Sequence, residues 1–140
     1  MTTGPAKTSY SVKVDDKGII WFRFTEINDT SVTALEAFHG PYYERGEAVF
    51  MLIDTNNIAE FPFARLTQNA NRSVARGLVL TYTRHAWVIP ITPISQYAER
   101  MLAHGDHKMV DAIFVPPGQA QHGYDWLLAE QAAYAGDAAP

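Results

Sequence analysis

Cysteine is absent from this chain. Disulfides, thiolate metal sites and a cysteine nucleophile are therefore excluded. Glycine-rich phosphate loops are missing as well. No G-x-x-x-x-G-K-[ST] and no G-x-G-x-x-G follows any candidate strand, so a backbone cradle for phosphate has no sequence support. The serines stand at positions 9, 11, 31, 73 and 95, none within a G-x-S-x-G elbow. No apolar run approaches the roughly 20 residues that span a bilayer. The opening MTTGPAKTSY lacks the apolar core of a signal peptide. An excess of positive charge is lacking too: the formal net charge is −4, which argues against non-specific nucleic-acid binding. These absences lead us to expect a cytoplasmic protein with no membrane span, no nucleic-acid partner, no cofactor and no metal.

What is present is a folding core. The chain has 140 residues, 47% of them apolar and 19% charged, the balance of one globular domain able to bury its own core. We expect residues 1–8 to be flexible, 9–134 to form a single domain and 135–140 to be a flexible tail.

The hydrophobic pattern alternates between two periods. Tyr10, Val12 and Val14 alternate with polar residues, the mark of a half-exposed strand. Asp15-Asp16-Lys17-Gly18 is a turn signal, and IIWFRF (19–24) is β-branched and aromatic, so an opening antiparallel hairpin is expected. Asn28 to Ser31 offers helix N-caps ahead of Val32, Leu35, Phe38 and Tyr42 on one face. Gly40-Pro41 should break or kink that helix, and Gly46 should close it. Ala48 to Ile53 is apolar on both faces, as a strand covered by helices on both sides must be.

Phe63, Leu66, Ala70 and Val74 then form a helical stripe, with Gly77 a stop. AWVIPI (86–91) reads as a strand that Pro90 pushes towards an edge or places where one ladder bond is missing. Thr92-Pro93 is a strong helix start, followed by Ile94, Tyr97, Ala98, Met101 and Leu102 as the inward face, with Gly105 the stop. Ala112 to Val115 is a last strand, and a last helix turns Ala120, Tyr124, Leu127 and Leu128 inward. The expected order is β-β-α-β-α-β-α-β-α: a mixed sheet with about four helices packed on it.

The junction after Ile53 draws most attention, because open α/β sheets meet ligands and partners at the carboxyl ends of strands. Asp54 stands where a catalytic carboxylate would. Its structural alternative is an acid that ends the strand and binds the loop amides of Asn56 or Asn57. No partner acid or base lies near it in sequence, so no catalytic residue is assigned. His104-Gly105-Asp106-His107 lacks the i, i+4 spacing that sets two metal ligands on one helix face, and His39, His85 and His122 stand singly. Phe61 and Phe63 flank Pro62 at the start of the second helix. Arg65, Asn69, Arg72 and Arg76 follow at spacings of four, three and four, forming one basic, amide-bearing stripe. Such a stripe is either a solvated face or a docking surface, since arginine is enriched at interfaces.

The element order, AVFMLIDTNNI at the central strand, Phe61 to Arg76 and the closing DAIFVPPGQAQHGYDWLLAEQ resemble the STAS domain of anti-sigma-factor antagonists and sulfate transporters, nearest its SpoIIAA-like branch. The likeness runs from Tyr10 to about Tyr134. It implies that fold and a regulatory, non-enzymatic, protein-interaction role. In that family the junction carries Asp-Ser-Ser/Thr-Gly, and a hydroxyl there is phosphorylated to switch partners. Here the matching stretch is Phe61-Pro62-Phe63-Ala64-Arg65, with no hydroxyl. The resemblance then implies a docking face without that switch, built from Asp54, Asn57, Phe61, Phe63, Arg65, Asn69, Arg72 and Arg76. The alternative is a small-molecule or lipid-binding domain whose pocket lies at the strand ends, near Asn28, Asp54, Asn57, Phe61 and Thr92. A homodimer is a further expectation, two-fold dimers being the commonest oligomer.

Overall fold

Among the described residues five strands form one mixed sheet in the order in which the chain makes them. The computed structural model describes residues 9–58, 81–103 and 110–138. Strand β1 (Tyr10–Val14) pairs antiparallel with β2 (Ile20–Phe24). Strands β3 (Val49–Asp54), β4 (Thr83–Val88) and β5 (Val110–Val115) then add in parallel. The described helices are α1 (Asp29–Ala37), α2 (Gly40–Glu44), α3 (Pro93–Ala103) and α4 (Ala120–Ala138). The expected helix over Phe63 to Val74 and the stops at Gly77 and Gly105 lie outside the described residues.

The local rules account for most of these elements. Asp15 ties the hairpin turn by accepting the N–H groups of Lys17 and Ile19 on one carboxylate oxygen. Asn28 caps α1 with its side-chain oxygen on the Ser31 N–H, while the Ser31 hydroxyl accepts the Asn28 N–H in return. Pro41 sits in the first turn of α2, where its missing donor does no harm. Gly46 ends that helix at φ +69, a left-handed backbone that side chains resist. Thr92 and Ser95 repeat the reciprocal cap at the start of α3.

The sheet divides two cores. On one face Phe22, Phe24, Met51, Ile53 and Trp87 pack under Leu35, Phe38, Tyr42 and Tyr43 of the α1–α2 layer. On the other, Ile19, Phe50, Leu52, Ala86 and Val115 pack under Leu127 and Tyr124 of α4. Strand β3 is buried on both faces, as its unbroken apolar run requires. Helix α4 lies close on the sheet at Gly123, where a Cβ would come within 3.1 Å of the Ala86 methyl. That helix continues through Ala138.

Of the two places open to Pro90, the edge is excluded: β4 lies between β3 and β5. The strand starts at Thr83, earlier than the apolar run, because Thr83, Arg84 and His85 are polar and hide its onset. The Ile89 N–H still bonds the Val115 carbonyl, so Pro90 falls just beyond the ladder. The inward face of α3 differs from the expected one. Ile94 and Tyr97 are 65% and 60% exposed, whereas Ser95 and Ala98 are buried. The cap explains the rotation: the Ser95 hydroxyl donates to the Pro90 and Thr92 carbonyls and holds Ser95 inward.

The open side of β5 carries its own stopper. The Glu99 carboxylate accepts the Phe114 N–H at 2.6 Å, and Asp111 accepts the Ala112 N–H at 2.8 Å. Unpaired edge donors are templates for added strands, and carboxylates on them block that pairing. Glu99→Ala is expected to destabilise the fold by about 1 kcal/mol and to raise the mass measured by light scattering above that of the wild type as concentration rises. An unchanged mass would show that the edge is protected in another way.

Candidate functional site at the carboxyl edge of the sheet

Parallel strands place the ends of β2, β3 and β4 along one edge. Phe24, Asp54 and Val88 terminate them, and the chain then turns into a helix cap or loop. The sharpest turn follows β3. Thr55 is fully buried, and both its N–H and its hydroxyl donate to the Val88 carbonyl at 3.0 Å. Asn56 and Asn57 then adopt left-handed backbone at φ 55 and φ 64. Asparagine tolerates this conformation better than most side-chain-bearing residues. The consequence is a tight, exposed amide tip at the end of the central strand.

Asp54 serves that tip. One carboxylate oxygen accepts the Asn56 N–H at 2.8 Å; the other lies 3.8 Å from the Arg23 guanidinium. Arg23 stands opposite Asp54 in the β2–β3 register and donates to the Asn56 side-chain oxygen at 2.8 Å. Asp54, Asn56 and Arg23 therefore form a closed circuit. Of the two roles open to Asp54, the geometry matches the structural one. Arg23 and the Asn56 side chain were not legible as site residues. The available signal was Arg23 as the one charge within IIWFRF, one residue from the end of its strand.

Asp54 and Asn57 are thus brought to the edge. Asn28 and Thr92 reach it as well, but their side-chain oxygens cap α1 and α3. Phe61, Phe63, Arg65, Asn69, Arg72 and Arg76 lie outside the described residues, as do His104 and His107. Strands β2 to β5 follow chain order, so no reversal of strand order opens a crevice between them. Among the described residues no three histidines, aspartates or glutamates converge in a way that could hold a metal ion. No described helix is long and apolar enough to cross a membrane.

Two further polar clusters lie away from this edge. At the hairpin turn the second Asp15 oxygen accepts the Trp21 indole N–H at 3.0 Å and the Tyr124 hydroxyl at 2.7 Å. Burial alone would raise the Asp15 pKa, but donation from Trp21, Tyr124 and the Ile19 and Lys17 amides outweighs it and holds the carboxyl at about 2. The same bond, with burial and nearby carboxylates, pushes the Tyr124 phenol up to about 12.

In the second cluster His39 and His85, which stand singly in the sequence, meet between the α1–α2 layer and β4 with their Nε2 atoms 2.8 Å apart. Tyr43 joins them through ring contact with His39 and a 3.2 Å bond to the Thr83 hydroxyl. Burial lowers the His39 pKa against the lift from the Leu35 and Glu36 carbonyls. Burial, with His39 alongside, holds His85 well below the ordinary histidine value.

The geometry defines a mixed α/β domain with an opening antiparallel hairpin and four parallel strands in chain order. No protein-family model, no curated protein and no solved structure matches the chain.

Proposed function

We propose that this chain is a STAS-like, SpoIIAA-like interaction module of the cytoplasm that docks a protein partner through the carboxyl edge of its sheet. The docking face comprises the Asn56–Asn57 tip, Asp54 beneath it, and Phe61, Phe63, Arg65, Asn69, Arg72 and Arg76. In this reading a helix over Phe63 to Val74 completes the STAS order between β3 and β4.

The observation that carries the proposal is the closed circuit of Arg23, Asp54 and Asn56. It commits the Asp54 carboxylate to holding an exposed turn, which supports a shaped surface over a reacting group. Thr55, the hydroxyl directly behind Asp54, is buried and donates to Val88. That arrangement supports docking without a phosphorylation switch. The small-molecule alternative gains nothing comparable, since the Asn28 and Thr92 oxygens serve helix caps.

The test is capture of partners by wild type and by a variant reversing Arg65, Arg72 and Arg76, with Asp125→Lys on the exposed face of α4 as control. The triple reversal should remove at least nine-tenths of the captured partner while the control retains it. An identical partner list from the triple reversal would sink the docking face.

A further inference from the structure

We propose that the His39–His85 pair is an acid-sensitive latch that holds the α1–α2 layer on the sheet and releases it as the pH falls below neutrality. The proposal does not depend on the docking role above.

Geometry fixes the protons. His39 Nδ1 lies 2.9 Å from the Leu35 carbonyl, which can only accept, so that nitrogen carries hydrogen. A neutral His39 then presents a bare Nε2, and His85 must donate its Nε2–H across the 2.8 Å gap. One added proton must be carried as charge between the helical layer and the sheet. Two added protons put N–H against N–H, and the rings must part.

His39 is placed for such a part. It lies between α1 and α2, its carbonyl accepts the Tyr43 N–H, and its own N–H bonds the Glu36 carbonyl. His85 lies on β4, flanked in register by Met51 of β3 and Ala112 of β5, with Trp87 on its own strand. Tyr43 is the other titratable ring in contact, and burial raises its pKa and keeps it neutral. Among the described residues no carboxylate lends its charge to either imidazole. Among the described residues the pair therefore has no counter-ion to accept a proton against.

The sign follows from linkage. Released histidines take up protons below about 6.5, whereas the closed pair, with both pKa values lowered, does not. Closure is thus fully favoured above that pH and weakens as pH drops. At pH 5 each histidine that stays neutral when closed raises the open-to-closed ratio about thirtyfold. Opening uncovers Phe22, Phe24, Met51 and Trp87, a new apolar face.

The experiment is amide hydrogen exchange at pH 7 and pH 5, corrected for intrinsic rates, on wild type and on His39→Asn/His85→Gln. The Asn amide nitrogen replaces Nδ1 and the Gln amide nitrogen replaces Nε2, so both donors remain without titration. In wild type the α1–α2 amides should lose at least thirtyfold protection relative to those of α4, and the double variant should not. Equal loss in α4, or the same pH dependence in the variant, overturns the latch. Should the variant fail to fold, carbon shifts of the wild-type imidazoles decide. Titration of both rings below 6.5 supports the proposal, and titration of either at or above 6.5 overturns it.

Discussion

Replacing Glu130 by alanine is expected to lower stability by about 3 kcal/mol, because a cation stays behind in the core. Arg84 of β4 is only 8% exposed, and its Nε lies 3.5 Å from the Glu130 carboxylate on α4. The guanidinium stacks 3.8 Å above the Tyr82 ring and donates to the Thr83 carbonyl, so it cannot swing out without losing both. Tyr82 donates its hydroxyl to the same Glu130 oxygen. Removing Glu130 takes a carboxylate partner from the buried guanidinium and the acceptor from the Tyr82 hydroxyl. Replacing both charges, as in Arg84→Met/Glu130→Leu, restores an apolar contact and should recover most of the loss. Urea midpoints of the two single variants and the double variant measure this. A loss under 1 kcal/mol in Glu130→Ala would mean that Glu130 is not the group that compensates the arginine.

Asp15→Ala comes next, with an expected loss of roughly 2–3 kcal/mol from charge-assisted bonds. Four donors converge on this carboxylate: the Lys17 and Ile19 amides, the Trp21 indole and the Tyr124 hydroxyl. It therefore sets the turn of the hairpin and at the same time fastens the hairpin to α4. Its folded pKa is about 2 against 3.8 in an ordinary setting. A depressed carboxyl stabilises the fold above the unfolded value, and that contribution disappears as pH falls from about 4 towards 2. Tyr124 works in the other direction: with its pKa near 12, the fold loses stability as pH rises from about 10. Stability measured between pH 2 and pH 4 should fall in wild type and be flatter in Asp15→Ala. Parallel curves would remove Asp15 as the cause.

Much of this architecture was legible because its signals are local. DDKG announced a turn, the two-faced run from Ala48 announced an inner strand, and Asn28 and Thr92 announced caps that their hydrogen bonds realise. What stayed hidden depends on partners far away in the chain. The onset of β4 is polar and takes its place from pairing with β3 and β5. The face of α3 follows its cap and Glu99 rather than its apolar spacing. His39 and His85 are 46 positions apart in the chain, and nothing in their flanking residues marks them as neighbours. Arg23 became a site residue only through the β2–β3 register.

The central claim is that the carboxyl edge of the sheet is a docking face. Amide hydrogen exchange of the chain with and without a captured partner tests it most directly. The account predicts new protection at Asp54 to Ile58 and across Phe61 to Arg76, with the α4 amides unchanged. Protection confined to α4, or to the β1 edge, would contradict it.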